Sequence, residues 1–384
     1  MQHLKQILLT SAFAVLTPAM QTTAEENPPG KSRQVDTIMA PVNHMDTPGC
    51  AVGVISKGVF VHKAGYGMAN LELGVPLSPD SIFRIASVSK QITAAAVLLM
   101  ADDGLIDLDE DIRTYLPALV DYGTKVSIRA MLGHVSGIAD YEVALVTGDD
   151  IEAGARDYQL RSAAGGPYRM GNEDYLSISE FYDVIKKIPL SHPPMTKFDY
   201  SNTNYFLFSM LVEAVTGQSL RDYAKARIFE PLAMDRTLFH DDMVEIIKNR
   251  ATGYKTREGG GFVNDMTNLY TVGDGGIHTS INDFIKWDQN FYQPKLGKDP
   301  AAFLQTMNTP NSMIKNNGWL YANGQGVGTH DGRTVFSHSG GWLGFSTYYV
   351  RYPEQQLSVV IFCNDAGQEP KQYARKISAL YLNN

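Results

Sequence analysis

The 384-residue chain has only two cysteines, Cys50 and Cys363, so no multi-bridge disulfide scaffold and no cysteine-rich metal knot can organise it. It has no Lys- or Arg-rich run, and its formal net charge is -8. That balance removes the basic excess that nucleic acid or an anionic membrane surface demands. No apolar run reaches the roughly 20 residues needed to cross a bilayer. Internal repeats and low-complexity tracts are absent. The nine histidines include no His-Glu-x-x-His pair, and no Gly-x-x-x-x-Gly-Lys phosphate loop occurs. Gly324-x-Gly326-x-Gly328 lacks the spacing and the strand-turn-helix context of a dinucleotide fingerprint. No serine has glycine both two before and two after it, which excludes the α/β-hydrolase elbow. The sequence therefore predicts no metal, no cofactor, no nucleic-acid partner and no stable membrane span in the mature chain. A small molecule or peptide is the expected ligand, and the oligomeric state is left open.

What is present is an ordinary globular composition, 44% hydrophobic and 19% charged, ample for a large core. Lys5, the apolar stretch Ile7 to Leu16, and small residues ending at Ala19 or Ala24 read as a secretory signal over residues 1–24. No cysteine follows that stretch, so no lipid anchor is expected. A polar linker over 25–47 precedes one large domain, 48–384. Its α/β part is expected over about 48–90 and 270–384, and its helical part over about 91–269. In an exported protein the two cysteines can pair; buried free thiols are the alternative.

Gly49–Ser56 and Val59–Tyr66 around Lys57-Gly58 predict a β-hairpin. The Ala- and Leu-rich run Ile92–Met100, closed by Gly104, predicts a helix. Short helical pieces follow at Asp107–Pro117 and Ser127–Leu132, then a turn at Gly133–Gly137 in which His134 reads as a hydrogen-bonding brace rather than a base. Tyr141–Tyr175 lacks periodicity and reads as a long excursion beside the pocket. Ser177 with Glu180 has capping-box spacing ahead of Phe181–Ile188. Helices are further predicted over Asn202–Val215 and Leu220–Phe229, from Ser280, and over Tyr373–Tyr381. Val335–His338, Phe345–Tyr352 and Leu357–Phe362 are rich in aromatic and β-branched residues and predict strands. Strands at both ends around a helical middle predict an α+β fold: an antiparallel sheet built from both chain ends and flanked by helices, with a separate, mostly helical subdomain. If the first and last strands pair antiparallel, Cys50 and Cys363 come close.

The chemistry rests on three elements in order: Ser87-x-x-Lys90, Tyr200-Ser201-Asn202 and His338-Ser339-Gly340. Ser87 lies at the start of the Ile92–Met100 helix, and Lys90, three residues on, projects from the same face. A serine nucleophile needs such a neighbouring base. Each element has a spare copy: Ser312 with Lys315, Tyr321 and Tyr381 with an asparagine two residues on, and His330 with Gly332. Context disfavours the copies. Ser312 precedes Asn316-Asn317-Gly318, which no helix carries, and Tyr321 lies in a Gly/Asn-rich stretch.

In these motifs, and in Leu132-Gly133-His134-Val135-Ser136-Gly137, Ile228–Leu232 and Gly275–Ser280, the chain resembles the serine β-lactamase and penicillin-binding-protein superfamily. The likeness is strongest to the class C β-lactamase-like branch, with its D-amino-acid peptidases and esterases. The resemblance runs from about Pro48 to the C-terminus and implies a β-lactamase/transpeptidase-like fold. It implies an acyl-enzyme on Ser87, with Lys90 and Tyr200 as joint base, the phenol made easier to ionise by the lysine. Asn202, His338, Ser339, Gly340 and Gly341 would hold substrate, and the main-chain N–H groups of Ser87 and Gly341 would form an oxyanion hole. The departure is His338, where the β-lactamases of the superfamily carry lysine. A histidine is only partly charged near neutral pH, so recognition of a substrate carboxylate weakens. The balance moves toward an exported esterase or D-amino-acid peptidase; a weak β-lactamase and a non-catalytic penicillin-binding or assembly protein are the other readings.

Overall fold

The computed structural model describes residues 29–141, 177–242, 245–267, 269 and 272–382. The expected signal segment and nearly all of the Tyr141–Tyr175 excursion lie outside them.

The chain's two ends meet in one seven-stranded antiparallel sheet. Its strands are β1 (Cys50–Ser56), β2 (Val59–Tyr66), β3 (Leu320–Ala322), β4 (Gln325–His330), β5 (Arg333–Trp342), β6 (Phe345–Tyr352) and β7 (Leu357–Cys363), in the spatial order β3-β4-β5-β6-β7-β1-β2. The hairpin β1–β2 turns at Lys57-Gly58 as expected. β1 from Cys50 to Ile55 and all of β7 are buried and, apart from Ser358, carry no polar side chain, because both faces of the sheet are covered. In their register Cys50 stands directly opposite Cys363, and the two are bonded. β5 is longer than the sequence suggested: His338 lies within it, not at its end. His330 ends β4, just ahead of β5.

One face of the sheet carries α1 (Pro29–Met39) and the C-terminal α6 (Pro370–Leu382), which share a core of Val35, Met39, Val359 and Ile377. The stretch read as a linker is therefore helical over much of its length. Val35, Ile38 and Met39, at three- and four-residue spacing, form the stripe that buries it. The other face packs α2 (Lys90–Asp102), α3 (Ile178–Ile185), α4 (Asn202–Thr216) and α5 (Ile281–Asn290) into the main core. α2 is buried on every side from Lys90 to Met100. The Ser177–Glu180 capping box forms, and the Ser280 side chain accepts from the Asp283 N–H at the start of α5. Two predicted helices are shorter or altered. Asp107–Pro117 is helical only over Ile112–Tyr115, and Leu220–Phe229 is α-helical to Ala224, then π-helical from Lys225 to Phe229.

Candidate active site

Ser87 sits in a 3₁₀ turn, Ala86–Ser89, that runs straight into α2 at Lys90. Ala86 is held at φ +47°, a conformation costly for a residue with a side chain. The turn is clamped on several sides. The Ser89 hydroxyl accepts from the Ile277 N–H (3.2 Å), the Ile85 N–H donates to Ile277 O (3.0 Å), and the Thr347 hydroxyl of β6 donates to Ile85 O (2.8 Å). Gly340 makes this closeness possible: a Cβ there would lie 2.3 Å from Thr347 Oγ1, 2.4 Å from Ile85 O and 3.1 Å from Ser87 N. On the far side, Gly324 (φ +85°) in the β3–β4 turn approaches the start of α2 so closely that a Cβ would fall 2.3 Å from Gln91 N.

Lys90 is fully buried, and its Nζ meets three oxygens: Ser87 Oγ at 3.0 Å, Asn202 Oδ1 at 2.8 Å and Asp274 O at 2.6 Å. Burial lowers its pKa to about 8, against the opposing pull of the Asp274 and Asp140 carboxylates. A neutral amine has two hydrogens and one lone pair. Two of its neighbours are carbonyl oxygens that can only accept, and the third is a hydroxyl that can donate. The cage around Nζ thus accommodates either the ammonium, which donates to all three oxygens, or the neutral amine, whose lone pair accepts from the Ser87 hydroxyl.

The Tyr200 ring lies under Lys90, with Nζ 5.0 Å from its centroid. Its hydroxyl is buried without a partner of ordinary hydrogen-bond geometry, although Ser87 lies near enough to favour its ionised form. Burial, helped by Asp274 and Asp140, outweighs that contact and pushes the phenol's pKa far up. The expectation of a phenol easy to ionise is reversed. Tyr200 stays protonated, and of the expected joint base only the amine is poised to take a proton.

The turn that presents Tyr200 is held by His134. Its carbonyl accepts from the Asp199 N–H (2.8 Å), its Nδ1 accepts from the Ser201 N–H (3.2 Å), and its ring stacks on Tyr200 at 4.2 Å. Since Nδ1 accepts, and burial drives the ring's pKa well below its ordinary value, His134 is neutral and a brace, as expected. The Asn202 N–H donates to Asp140 Oδ2 (2.6 Å).

Ser87, Tyr200, His338, Ser339 and Gly341 line a single cleft of about 600 Å³, floored further by Trp319, Tyr321 and Tyr348. Lys90 and Asn202 lie behind Ser87, and buried Gly340 fixes the spacing; all the expected site residues are brought together. One residue that sequence reasoning set aside as a copy of the Tyr200 motif also reaches the cleft. Tyr321 is buried on β3, and its hydroxyl meets His338 Nε2 at 2.9 Å. The missed signal was Asn323-Gly324, a two-residue hairpin turn between Ala322 and Gln325 that makes Tyr321 a strand residue. His338 departs further from lysine than expected: burial and the nearby Lys90 charge lower its pKa to about 4, so it is neutral near pH 7.

A model of the β-lactamase family matches residues 35–382. The chain belongs to the β-lactamase family. Among curated family relatives, it is 26% identical over 318 residues to a D-aminopeptidase of Gluconobacter oxydans, covering 83% of this chain and 56% of the relative. It is 26% identical over 341 residues to penicillin-binding protein 4* of Bacillus subtilis, covering 83% and 68%. The chain thus spans little more than half the length of the D-aminopeptidase it matches. Among solved structures, the octameric penicillin-binding protein homologue from Pyrococcus abyssi superposes with a TM-score of 0.76 at 25% identity, over 92% of this chain and 77% of that one. The D-amino acid amidase from Ochrobactrum anthropi, at 20% identity, shares the fold with a TM-score of 0.70 over 92% and 96%.

Proposed function

We propose that the protein is an exported serine hydrolase that forms an acyl-enzyme on Ser87 and acts on esters or on peptides and amides of D-amino acids. The observation that carries this reading is the 3.0 Å contact between Ser87 Oγ and a buried Lys90 whose pKa is lowered to about 8. Neutral Lys90 takes the hydroxyl proton as Oγ attacks the substrate carbonyl. The negative charge on the carbonyl oxygen is received by the Ser87 and Gly341 N–H groups. Collapse of the tetrahedral adduct breaks the bond to the leaving group, which takes a proton from Lys90 directly or through the protonated Tyr200. Water then enters by the same steps in reverse order and releases the acid. The Asn202 oxygen is committed to Lys90, so its Nδ2 hydrogens are the ones left for a substrate carbonyl. Neutral His338 favours substrates without a free carboxylate at this wall. The apolar N-terminal segment and the Cys50–Cys363 bridge support export to an oxidising compartment.

The test is hydrolysis of p-nitrophenyl butyrate and of D-alanine p-nitroanilide by wild type and Ser87→Ala. Wild type should turn over at least one of them and the variant neither; equal rates would leave only a binding protein on this scaffold. Because the base must be neutral, kcat/KM should rise about tenfold per pH unit below about 8 and level above it.

A further inference from the structure

His338 shares the cleft with Ser87, yet the proposed chemistry gives it no proton to move. Its two ring nitrogens are both committed. Nδ1 lies 2.6 Å from Ser339 O, a carbonyl that can only accept, so Nδ1 carries the hydrogen. Nε2 is then a bare lone pair, and the Tyr321 hydroxyl at 2.9 Å donates to it. Tyr200, the other phenol facing the ring, has its centroid 6.1 Å away, and the Tyr205 hydroxyl donates to Leu132 O at 3.0 Å. Tyr321 is itself held in place: it is 7% exposed, paired with Gly326 across the β3–β4 ladder, and edge-on to the His134 ring at 4.6 Å. The titratable groups facing the His338 ring are Lys90 from α2, Tyr200 from the turn before α4, His134 from the Gly133–Gly137 turn and Tyr321 from β3. Among the described residues none of these is a carboxylate that would reward a charged imidazole.

We infer that Tyr321 is a specificity-determining residue: by donating to His338 Nε2 it locks the ring as the neutral Nδ1–H tautomer, so that the β5 wall of the cleft takes substrates uncharged next to the scissile bond and rejects those with a free carboxylate there. Tyr321 acts through His338 and needs no contact with the reacting atoms. The tautomer follows from the hydrogen bonds alone, whereas the selectivity rests on the hydrolase reading above.

Two measurements test the two halves separately. Long-range ¹H–¹⁵N spectra, with the His338 ring assigned by comparison with His338→Gln, should show the neutral Nδ1–H form unchanged from pH 7.5 to 5. In Tyr321→Phe, which keeps the ring but loses the donor, Nε2 should begin to titrate within that range. Hydrolysis is compared on N-acetyl-D-alanyl-D-lactate and its C-terminal amide, esters that differ only in charge. Wild type should prefer the amide about tenfold or more, with a ratio that is flat between pH 5 and 7.5. Tyr321→Phe should lose about tenfold of that preference, most at the acid end. His338→Lys, which puts a fixed cation at the same place, should reverse it. An Nε2–H or charged ring in wild type at pH 7, or unchanged spectra in Tyr321→Phe, would overturn the lock. A wild-type preference for the free acid, or a His338→Lys variant with the wild-type ratio, would overturn the selectivity. Hydrolysis of neither ester by a wild type that still cleaves p-nitrophenyl butyrate would overturn the selectivity and leave the hydrolase reading standing; a wild type that cleaves none of these substrates would sink both, with the tautomer decided by the spectra.

Discussion

Lys90 lies behind Ser87 and His338 lines the cleft that Ser87 opens into; both are buried, and burial lowers the basicity of both. They end far apart. Lys90 rests at about 8 because the Asp274 and Asp140 carboxylates offset part of the desolvation. His338 falls to about 4, since the one charge that bears on it is the like charge of Lys90, and a contact with its neighbour's carbonyl returns only part of the loss. Desolvation sets the direction for each, and the sign of the neighbouring charge decides which base remains usable near neutral pH. The same logic separates Lys90 from Tyr200. The carboxylates that keep the amine basic make the phenol harder to ionise.

The largest effect on this contrast should come from removing the usable base. Lys90→Met keeps an unbranched stem but no lone pair, and kcat/KM should fall about 100-fold to 10,000-fold with KM little changed. A variant that kept the wild-type rate would mean that some other group takes the proton. Next, Asp274→Asn removes one carboxylate that sustains the amine's basicity, while its carbonyl oxygen can still accept from the Tyr141 hydroxyl, now 2.8 Å from Asp274 Oδ2. Without that anion the charged amine is less favoured, so the acid limb of the pH–rate profile should move below 8, by about one unit. An upward or absent shift would refute the assigned offset. The smallest effect on the contrast should follow reduction of Cys50–Cys363, which joins β1 to β7. Losing it should cost about 2–4 kcal/mol of stability, read as a lower Tm, while the limb near 8 stays where it is.

Local signals carried much of this fold in the sequence. The Lys57-Gly58 hairpin, the Ser177–Glu180 box and the Ser280 cap are decided within a few residues of chain. Ser87 and Lys90 were legible for the same reason, one helical turn apart. Tyr200 and His338 were found by order and context; the closeness of Cys50 and Cys363, though not their bond, followed from pairing of the terminal strands. What escaped depends on partners remote in sequence. α1 looks like linker because its buried stripe is short, and it is covered by the sheet and by α6, more than 300 residues on. The basicity of Lys90, Tyr200 and His338 could not be ranked, because desolvation and the Asp140 and Asp274 charges belong to the assembled pocket. Tyr321 was passed over because its flanking Gly and Asn read as loop, although they form the turn that delivers it to His338.

The bridge between Cys50 and Cys363 spans 313 positions, so nearly the whole folded body is one closed covalent loop. A protease that cuts once anywhere inside that loop leaves a single molecule, heavier by one water. The break would surface as two fragments on a gel only after a thiol reductant had opened the loop.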